Sequence, residues 1–330
     1  MIISRTPLRI SFFGGGTDVP FVFNQIGGAV FTSTFSKFIY IMLNVKDPDF
    51  GKGISAKYSE IEAVEHPRYI KHPIMRQVFL NYGLNDLDVS VSSDLPGGSG
   101  LGSSSSFTVG FLNCVHSLQN LESTVTKFEL AEEACKIEIN DLKEPIGKQD
   151  AFAASLGGLR GFVFTADNQV STIESKLSAA QISELELSLR LVRVGAFRKT
   201  SEMLSRQFTH FKIDPKQIVK YEKLSQQAHW AMQITKLDLY EFGEKLLEAW
   251  SIKKSLSPII SNTEIENLMQ LGMKSGAVGC KLLGAGGSGY ILFIVPQEMR
   301  DRFDAQMNDC NPRRINFDFE GSKILQNLRW

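Results

Sequence analysis

The 330-residue chain carries 36 basic and 36 acidic side chains, so its formal net charge is zero. This balance argues against a surface devoted to nucleic acid or to a membrane, and no apolar run reaches the ~18 residues of a transmembrane helix. The first residues also lack the long apolar core of a secretory signal peptide. We therefore expect a cytoplasmic globular protein of one large or two medium domains, without nucleic-acid or membrane partners.

The cysteines and histidines do not predict a zinc site. The four cysteines, Cys114, Cys135, Cys280 and Cys310, lie far apart and form no CxxC pair. The five histidines show no HxxxH spacing. Buried free thiols in a reducing compartment are the simpler interpretation.

The first half of the chain predicts strands and one largely apolar helix. Residues 9–13, 38–45 and 88–93 combine β-branched or aromatic residues with strand length. Residues 107–118 are apolar on most faces, which favours a buried helix.

Residues 127–143 predict a second helix, and Glu138 interrupts its pattern. At ~100° per residue, one apolar face is formed by Ala131, Ala134, Cys135 and Leu142. Glu138 falls in the middle of this face, where a carboxylate needs a partner or a shifted pKa. Two interpretations stay open at this point, an ion pair with a neighbouring helix and a ligand for a cation.

The second half predicts a separate α+β unit. Its predicted elements are a strand at 188–194, helices at 216–234, 238–254 and 263–274, strands at 279–283 and 290–295, a helix at 297–308 and a strand at 313–319. This order is that of a ferredoxin-like split βαβ unit. The polar residues 165–181 are expected near the boundary, which divides the chain into domains 1–180 and 181–330.

Two glycine-rich stretches have different contexts. GAGGSG, residues 284–289, fits the dinucleotide pattern G-x-G-x-x-G, but a strand follows it where a Rossmann loop requires a helix. PGGSGLGSSSS, residues 96–106, lies between a strand and a helix. There, glycine backbone N–H groups, serine caps and the helix N-terminus favour a phosphate. The alternative is a glycine-rich turn with serine caps.

Three motifs in order resemble those of the GHMP small-molecule kinase family. They are RTPLRISFFGGGTD at Arg5–Asp18, PGGSGLGSSSS at Pro96–Ser106 and KLLGAGGSGYILF at Lys281–Phe293. The resemblance spans almost the whole chain. It implies an α+β fold of two domains, with a ribosomal protein S5 domain 2-like N-terminal domain and a ferredoxin-like C-terminal domain.

The resemblance implies phosphoryl transfer from ATP with Mg²⁺. The ATP phosphates would lie on the second motif, at Pro96, Gly97, Gly98, Ser99, Gly100, Leu101, Gly102, Ser103 and Ser104. The Ser104 hydroxyl and Glu138 match the family's magnesium ligands. Ser105 and Ser106 replace the family's usual alanines, and we expect this change to matter little.

Two residues match the family's catalytic pair. Asp150 would accept the proton of the attacking hydroxyl, and Arg9 would stabilise the carboxylate beside it. Without the resemblance, Asp150 is better interpreted as a helix cap and Arg9 as a charge at a strand edge.

The resemblance also predicts substrate contacts. Asp18 would bind sugar hydroxyls, and further contacts are expected from Gly14, Gly15, Gly16, Thr17, Lys148, Gly286 and Gly287. A sugar phosphate needs a cationic clamp, for which Arg198 and Lys199 are the candidates. A solvated basic turn is the alternative for both.

Several features resemble one branch of the family, the heptose 7-phosphate kinases. They are GGGTD at 14–18, Leu283 before GAGG, and the segment 144–158. That branch implies transfer to the anomeric hydroxyl, giving a 1,7-bisphosphate. A fucokinase-like kinase of an unphosphorylated sugar and a non-catalytic sugar or nucleotide sensor remain as alternatives, and either a monomer or a homodimer is compatible with the sequence.

Overall fold

The computed structural model of the protein describes residues 1–47, 49, 51–121, 124–195 and 216–328. The first half contains β1 (Ile2–Phe13), α1 (Pro20–Ile26), β2 (Gly28–Val45), β3 (Ile54–Lys57), β4 (Ile61–Val64), α2 (Pro73–Tyr82), β5 (Leu87–Ser93), α3 (Ser103–Leu118), α4 (Lys127–Cys135), α5 (Gln149–Leu156), β6 (Leu159–Phe164) and β7 (Val170–Glu174). The second half contains α6 (Ala179–Ser188), β8 (Leu189–Val194), α7 (Lys216–Gln233), α8 (Leu239–Lys254), α9 (Thr263–Lys274), β9 (Gly279–Leu282), β10 (Gly289–Ile294), α10 (Arg300–Gln306) and β11 (Lys323–Asn327).

The larger sheet is organised around two long strands, β1 and β2. Its strand order is β11-β1-β2-β5-β3-β4, and β6 and β7 extend it from β2. The first part of β2 pairs with β6 and its last part with β5. Helices α3 and α5 both pack against β1 and β2. This packing places the N-terminal ends of both helices near Arg9 of β1.

The smaller sheet has the order β8-β10-β9 and is antiparallel throughout. The segment predicted as a strand at 313–319 forms isolated bridges instead, from Arg313 to Leu191 and from Phe317 to Phe35. The strand prediction for this segment is therefore wrong, because its backbone bonds are divided between the two sheets. The chain then returns as β11 to pair with β1 in the larger sheet.

The predicted helix at 127–143 changes its geometry before the end. Its first part is α4, and the next residues, Lys136–Asp141, form a π-helix that contains Glu138. Such π-helical turns widen the backbone and occur frequently at functional sites. The helix ends before Leu142, which was expected on the apolar face.

Aromatic and polar contacts join the two sheets. The rings of Phe12 and Phe13 pack against Phe242 of α8, with centroids 5.5 and 5.1 Å apart. The buried Lys281 of β9 donates through Nζ to the carbonyl oxygens of Ser11 and Phe12, at 3.1 and 2.7 Å. These contacts fix the end of β1, where the first motif lies, against the smaller sheet.

Two further observations concern the whole described chain. The four cysteines are free thiols; three are buried and Cys310 is half-buried. Among the described residues, no helix has both the length and the apolar character needed to span a bilayer.

Candidate active site

A cavity of about 710 Å³ brings together residues of all three motifs. The first motif contributes Arg9, Gly15, Gly16 and Asp18, the second Gly97, Gly98, Gly100 and Gly102–Ser104, and the third Gly284 and Ala285. Glu138 and Asp150 also line this cavity. The family resemblance implies that these motifs act together, and in the structure residues of all three line one cavity.

The second motif forms a turn that leads directly into α3. Gly98, Gly100 and Gly102 all have positive φ, and α3 begins at Ser103. The first N–H groups of a helix lack intrahelical acceptors and, with the helix dipole, favour an anion. This end of the cavity therefore has the backbone geometry to bind phosphate.

The second and third motifs touch backbone to backbone at Gly100. A Cβ atom built on Gly100 would lie 2.7 Å from the carbonyl oxygen of Leu283, and one built on Gly284 would lie 2.5 Å from the Cα of Gly100. Neither position has room for a side chain. This explains glycine at both positions better than flexibility does.

We expect Gly100→Ala to raise the KM for ATP about tenfold or more. The residue has a φ of +77°, which costs a non-glycine residue ~1–2 kcal/mol, and the new methyl group would push against Leu283. Steady-state kinetics at varied ATP would measure the change. Gly83→Ala is the control, because Gly83 also has positive φ but open space around it. An unchanged KM for ATP in Gly100→Ala would contradict this account of the loop.

Glu138 lies beneath the start of α3 and is almost completely buried. Its oxygens accept hydrogen bonds from the hydroxyls of Ser104, Ser105 and Thr108, at 3.2, 2.7 and 3.0 Å. Burial raises the pKa of this carboxyl to about 7, although the hydroxyl hydrogen bonds act in the opposite direction.

The surroundings of Glu138 favour a cation ligand over an ion pair. Among the described residues, no Lys or Arg side chain lies within ion-pair distance of its carboxylate. The available donors are a carboxylate and hydroxyl oxygens beside a phosphate-binding turn. Mg²⁺ prefers such hard oxygens and completes its shell with phosphates and water, so the residues present fit this ion.

Sequence reasoning underrated Ser105. Its hydroxyl lies closer to Glu138 than that of Ser104, at 2.7 against 3.2 Å, whereas the Ser106 hydroxyl donates to the Pro7 carbonyl. The signal was present in the sequence, because Ser104 and Thr108 are one helical turn apart and Ser105 adjoins them. Together the three hydroxyls fix the orientation of the carboxylate.

Asp150 and Arg9 form a bidentate ion pair. Arg9 Nε and Nη2 donate to the two carboxylate oxygens of Asp150, each at 2.7 Å, and Nη1 donates to the Gly100 carbonyl. Arg9 is buried, whereas the Asp150 side chain keeps 26% of its surface exposed to the cavity side. The pair thus leaves an oriented carboxylate open to a ligand next to the phosphate-binding turn.

Asp18 also lines the cavity, and backbone groups hold it. Its oxygens accept from the N–H groups of Gly16 and Gln149, at 3.0 and 3.1 Å. Burial and the nearby Asp150 charge raise the pKa of Asp18. Gly15 and Gly16 line the same wall, whereas Gly14 and Thr17 contact the backbone of Ala29 and hold the turn in place.

Several other predicted residues support the cavity without lining it. Gly286 packs against Ile260, and the Gly287 N–H donates to the Ile260 carbonyl at 2.9 Å. In the second motif, Pro96, Ser99 and Leu101 also do not line the cavity. The Leu101 carbonyl accepts a hydrogen bond from the Arg9 N–H at 3.0 Å. The predicted clamp residues Arg198 and Lys199 lie outside the described residues.

Lys148 is directed away from the cavity. Its Nζ donates to the Asn168 carbonyl at 3.0 Å and lies 5.3 Å from the centre of the Phe23 ring. The predicted substrate contact is therefore not supported, although the neighbouring Gly147 and Gln149 do line the cavity. The side chain follows the turn before β7, which the motif itself could not specify.

We expect Lys148→Met to leave the KM for the acceptor within about twofold of wild type and to lower the free energy of unfolding. The variant loses one buried hydrogen bond, which is worth ~1 kcal/mol. Acceptor kinetics and urea unfolding would measure the two effects. A clear rise in acceptor KM would return Lys148 to the binding site.

Part of the cavity lining is apolar. It includes Ile39, Ile74, Val91, Phe107 and Leu142. An apolar slot that adjoins an anion site fits a flat aromatic base attached to phosphates.

Lys253 and Tyr221 are cavity residues that the sequence analysis missed. Both come from helices of the second half, α8 and α7, and both are buried. Sequence offered no signal for Lys253, because a lysine in the last turn of a helix ordinarily serves the helix dipole.

The family comparison covers the second motif, Glu138 and Asp150. Residues 68–158 match the family described as GHMP kinases N terminal domain. A D-glycero-alpha-D-manno-heptose 7-phosphate kinase of Campylobacter jejuni is 29% identical over 306 residues, which cover 89% of each chain. A bifunctional fucokinase/GDP-fucose pyrophosphorylase of Arabidopsis thaliana is 24% identical over 90% of this chain and 30% of its own length.

A solved structure supports the fold. The crystal structure of a D-glycero-D-manno-heptose 1-phosphate kinase from Bacteroides thetaiotaomicron superposes with a TM-score of 0.78 at 22% identity, and the match covers 100% of both chains. The expected α+β fold is confirmed by this likeness.

Proposed function

We infer that this chain, which carries a GHMP kinase N-terminal domain, is an ATP-dependent sugar kinase. The observation that carries the inference is the Arg9–Asp150 pair, which holds a partly exposed carboxylate beside a phosphate-binding turn in one cavity. Phosphoryl transfer needs that juxtaposition of an anion site and a group that can take a proton.

The proposal places the base of ATP against the apolar residues around Phe107 and its phosphates at the N–H groups of the second motif. Glu138 and the Ser104 hydroxyl would hold Mg²⁺ against these phosphates. When bound, this ion neutralises negative charge on the phosphates that would otherwise repel an attacking oxygen.

The acceptor would lie at the other end, between Asp18 and Asp150. Asp150 takes the proton of the attacking hydroxyl as that oxygen bonds to the γ-phosphorus and the bond to the bridging oxygen of ADP breaks. Arg9 holds the carboxylate in position through two parallel hydrogen bonds. Asp18, oriented by Gly16 and Gln149, would accept from another hydroxyl of the acceptor.

We propose that the acceptor is D-glycero-D-manno-heptose 7-phosphate and that its anomeric hydroxyl is phosphorylated, giving the 1,7-bisphosphate. The named activity of the Campylobacter relative supports this assignment. The Bacteroides neighbour is named for a heptose 1-phosphate, so the position of the phosphate needs a direct test.

A kinase of an unphosphorylated sugar is the second candidate. The partial match to the Arabidopsis fucokinase favours it. A non-catalytic sensor has less support, since the Arg9–Asp150 pair and Glu138 keep the geometry that catalysis requires.

The test is ADP release with Mg²⁺ and ATP against heptoses, fucose and mannose, each with and without a terminal phosphate. Phosphorus NMR of the product would locate the new phosphate. We expect turnover with heptose 7-phosphate and a new resonance of an anomeric phosphate. Turnover confined to free sugars would replace the heptose phosphate assignment with the fucokinase-like one, and no turnover with any sugar would reject the kinase proposal.

The division into domains 1–180 and 181–330 remains a proposal. Proteolysis that yields one fragment ending near residue 180 would support it. The pairing of β11 with β1 predicts that such a fragment keeps the C-terminal residues 323–327 bound.

A further inference from the structure

Lys253 places an ammonium group at the acceptor end of the cavity. The residue lies in the last turn of α8 and is 8% exposed. Its Nζ donates to the Gly284 carbonyl at 2.7 Å and lies 3.7 Å from the position that a Cβ of Gly15 would occupy. The ammonium thus lies between the first and third motifs.

The bonds of Lys253 within the protein are incomplete. An ammonium has three N–H donors, and a buried charge is costly unless it is paired. Among the described residues, Gly284 is the hydrogen-bond acceptor of Nζ, and no carboxylate lies within ion-pair distance. Burial and Arg9 lower the pKa of Lys253 to about 8, while Asp18 and Asp150 act in the opposite direction.

Other lysines of the fold differ from Lys253 in this respect. Lys281 is also buried, but it donates to two carbonyls of β1 and does not line the cavity. The adjacent Lys254 points outward and pairs with Glu266 at 2.9 Å. Of these lysines, Lys253 is the one with unused donors that face the cavity.

The neighbours of Lys253 place it at the acceptor end of the cavity. Its Nζ lies 3.7 Å from the Cβ position of Gly15, and the N–H of the next residue, Gly16, donates to Asp18. Ser104 and Glu138, by contrast, belong to the magnesium and phosphate end. Arg9 also lines the cavity, but its guanidinium donates to the Asp150 carboxylate and the Gly100 carbonyl. A ligand oxygen that entered beside Asp18 would therefore meet Lys253 as its cationic partner.

We propose that the Lys253 ammonium donates a hydrogen bond to an oxygen of the acceptor, beside Asp18, and is a specificity-determining residue of the site. This inference rests on the proposed sugar kinase activity. The oxygen belongs either to a sugar hydroxyl or to a phosphate of the acceptor, because both present the same acceptor chemistry to an ammonium. Asp18 and Lys253 together would select a ligand with a donor and an acceptor oxygen in neighbouring positions.

The test compares Lys253→Met with Lys254→Met, which removes the adjacent lysine on the outer side of the same helix. KM and kcat are measured separately for the acceptor and for ATP. We expect Lys253→Met to raise the acceptor KM roughly tenfold to a hundredfold, the value of a charged hydrogen bond, with ATP KM within about twofold. Lys253→Arg should recover part of the loss, and Lys254→Met should leave all constants near wild type.

Two acceptors distinguish the source of the oxygen. A larger effect on the phosphorylated sugar than on its free counterpart identifies a phosphate oxygen, and equal effects identify a hydroxyl; both results support the proposal. Unchanged acceptor KM in a folded Lys253→Met variant overturns it, and so does a fall in kcat alone. If Lys253→Met does not fold, Lys253→Gln provides the same comparison.

The experiment also separates this inference from the proposed function. A wild-type protein that turns over no sugar with ATP and Mg²⁺ rejects the kinase activity and the Lys253 proposal together. Wild-type turnover with an unchanged acceptor KM in a folded Lys253→Met variant rejects the Lys253 proposal alone.

Discussion

Asp150→Asn is expected to lower turnover by about two to four orders of magnitude, the usual contribution of a general base, while the Kd for ATP stays within about threefold. Asparagine keeps the shape of the side chain but cannot accept the proton of the attacking hydroxyl. The Asp150 Oδ2 atom lies 3.3 Å from the position of a Cβ on Gly102, but asparagine keeps the size of the side chain and removes none of the backbone N–H groups proposed to bind the ATP phosphates. Steady-state kinetics and ATP titration by calorimetry would measure the two effects.

The same substitution has a consequence for stability. Arg9 is 6% exposed and makes two hydrogen bonds of 2.7 Å to the Asp150 carboxylate. Removal of the negative charge leaves a buried guanidinium without its partner, which costs several kcal/mol in comparable buried pairs. Urea unfolding would therefore show a lower free energy of unfolding, and kinetics must be measured where the variant is folded.

Asp88→Asn is the matched control. Asp88 pairs with Lys46 at 3.5 Å on the surface, where such pairs contribute ~0–1 kcal/mol. We expect no change in turnover and little in stability. Turnover near wild type in a folded Asp150→Asn variant would remove Asp150 from the proton transfer and leave the Arg9 pair as a structural feature.

Glu138→Gln is expected to raise the Mg²⁺ concentration for half-maximal activity at least about tenfold. The substitution removes the negative charge of the one buried carboxylate described beside the phosphate-binding turn, and hard cations depend on that charge. Activity against Mg²⁺ concentration at fixed ATP would measure the change. Glu132→Gln, on the exposed side of α4, is the control. An unchanged titration would return Glu138 to a structural role in the hydroxyl network.

The pKa of Glu138 gives this substitution a second readout. Its pKa is raised from 4.5 to about 7, so the metal-free folded protein binds a proton that the unfolded chain releases. The protonated Glu138 carboxyl therefore adds to the free energy of unfolding below pH 4.5, and this contribution is lost as the pH rises to about 7. Urea unfolding without metal should show this decline between pH 5 and 7 in wild type, and Glu138→Gln should lack it. Equal pH dependence in both proteins would contradict the buried carboxyl assignment.

Local sequence predicted the parts of the site that depend on local backbone. The glycines of the second motif and the position of Glu138 on an apolar face follow from residues close together in the chain. Helix α3, however, begins at Ser103 and not at the expected residue 107, and its N-cap is Gly102, without the expected serine cap. Asp150 and Arg9 carried no signal of their own, and their pairing across 141 positions came from the family resemblance. The structure then placed the two side chains in direct contact.

The features that could not be predicted from the sequence depend on distant residues. The direction of the Lys148 side chain depends on Asn168, and its substrate contact stays a prediction. Lys253 was overlooked because only the packing of α8 against the third motif turns it toward the cavity. The segment at 313–319 has a strand-like pattern, yet its bridges go to two different sheets.

The contact between the second and third glycine motifs has a consequence for protein engineering. A Cβ on Gly100 would strike Leu283, one on Gly284 would strike Gly100, and one on Gly289 would lie 2.8 Å from the carbonyl oxygen of Ser99. The two loops therefore form one packed unit, although they lie some 180 positions apart in the chain. When two residues are in such contact, the effects of their substitutions on the free energy of unfolding do not simply add. A loop transplanted from a relative would have to be exchanged together with its counterpart, because either loop alone would meet the wrong surface.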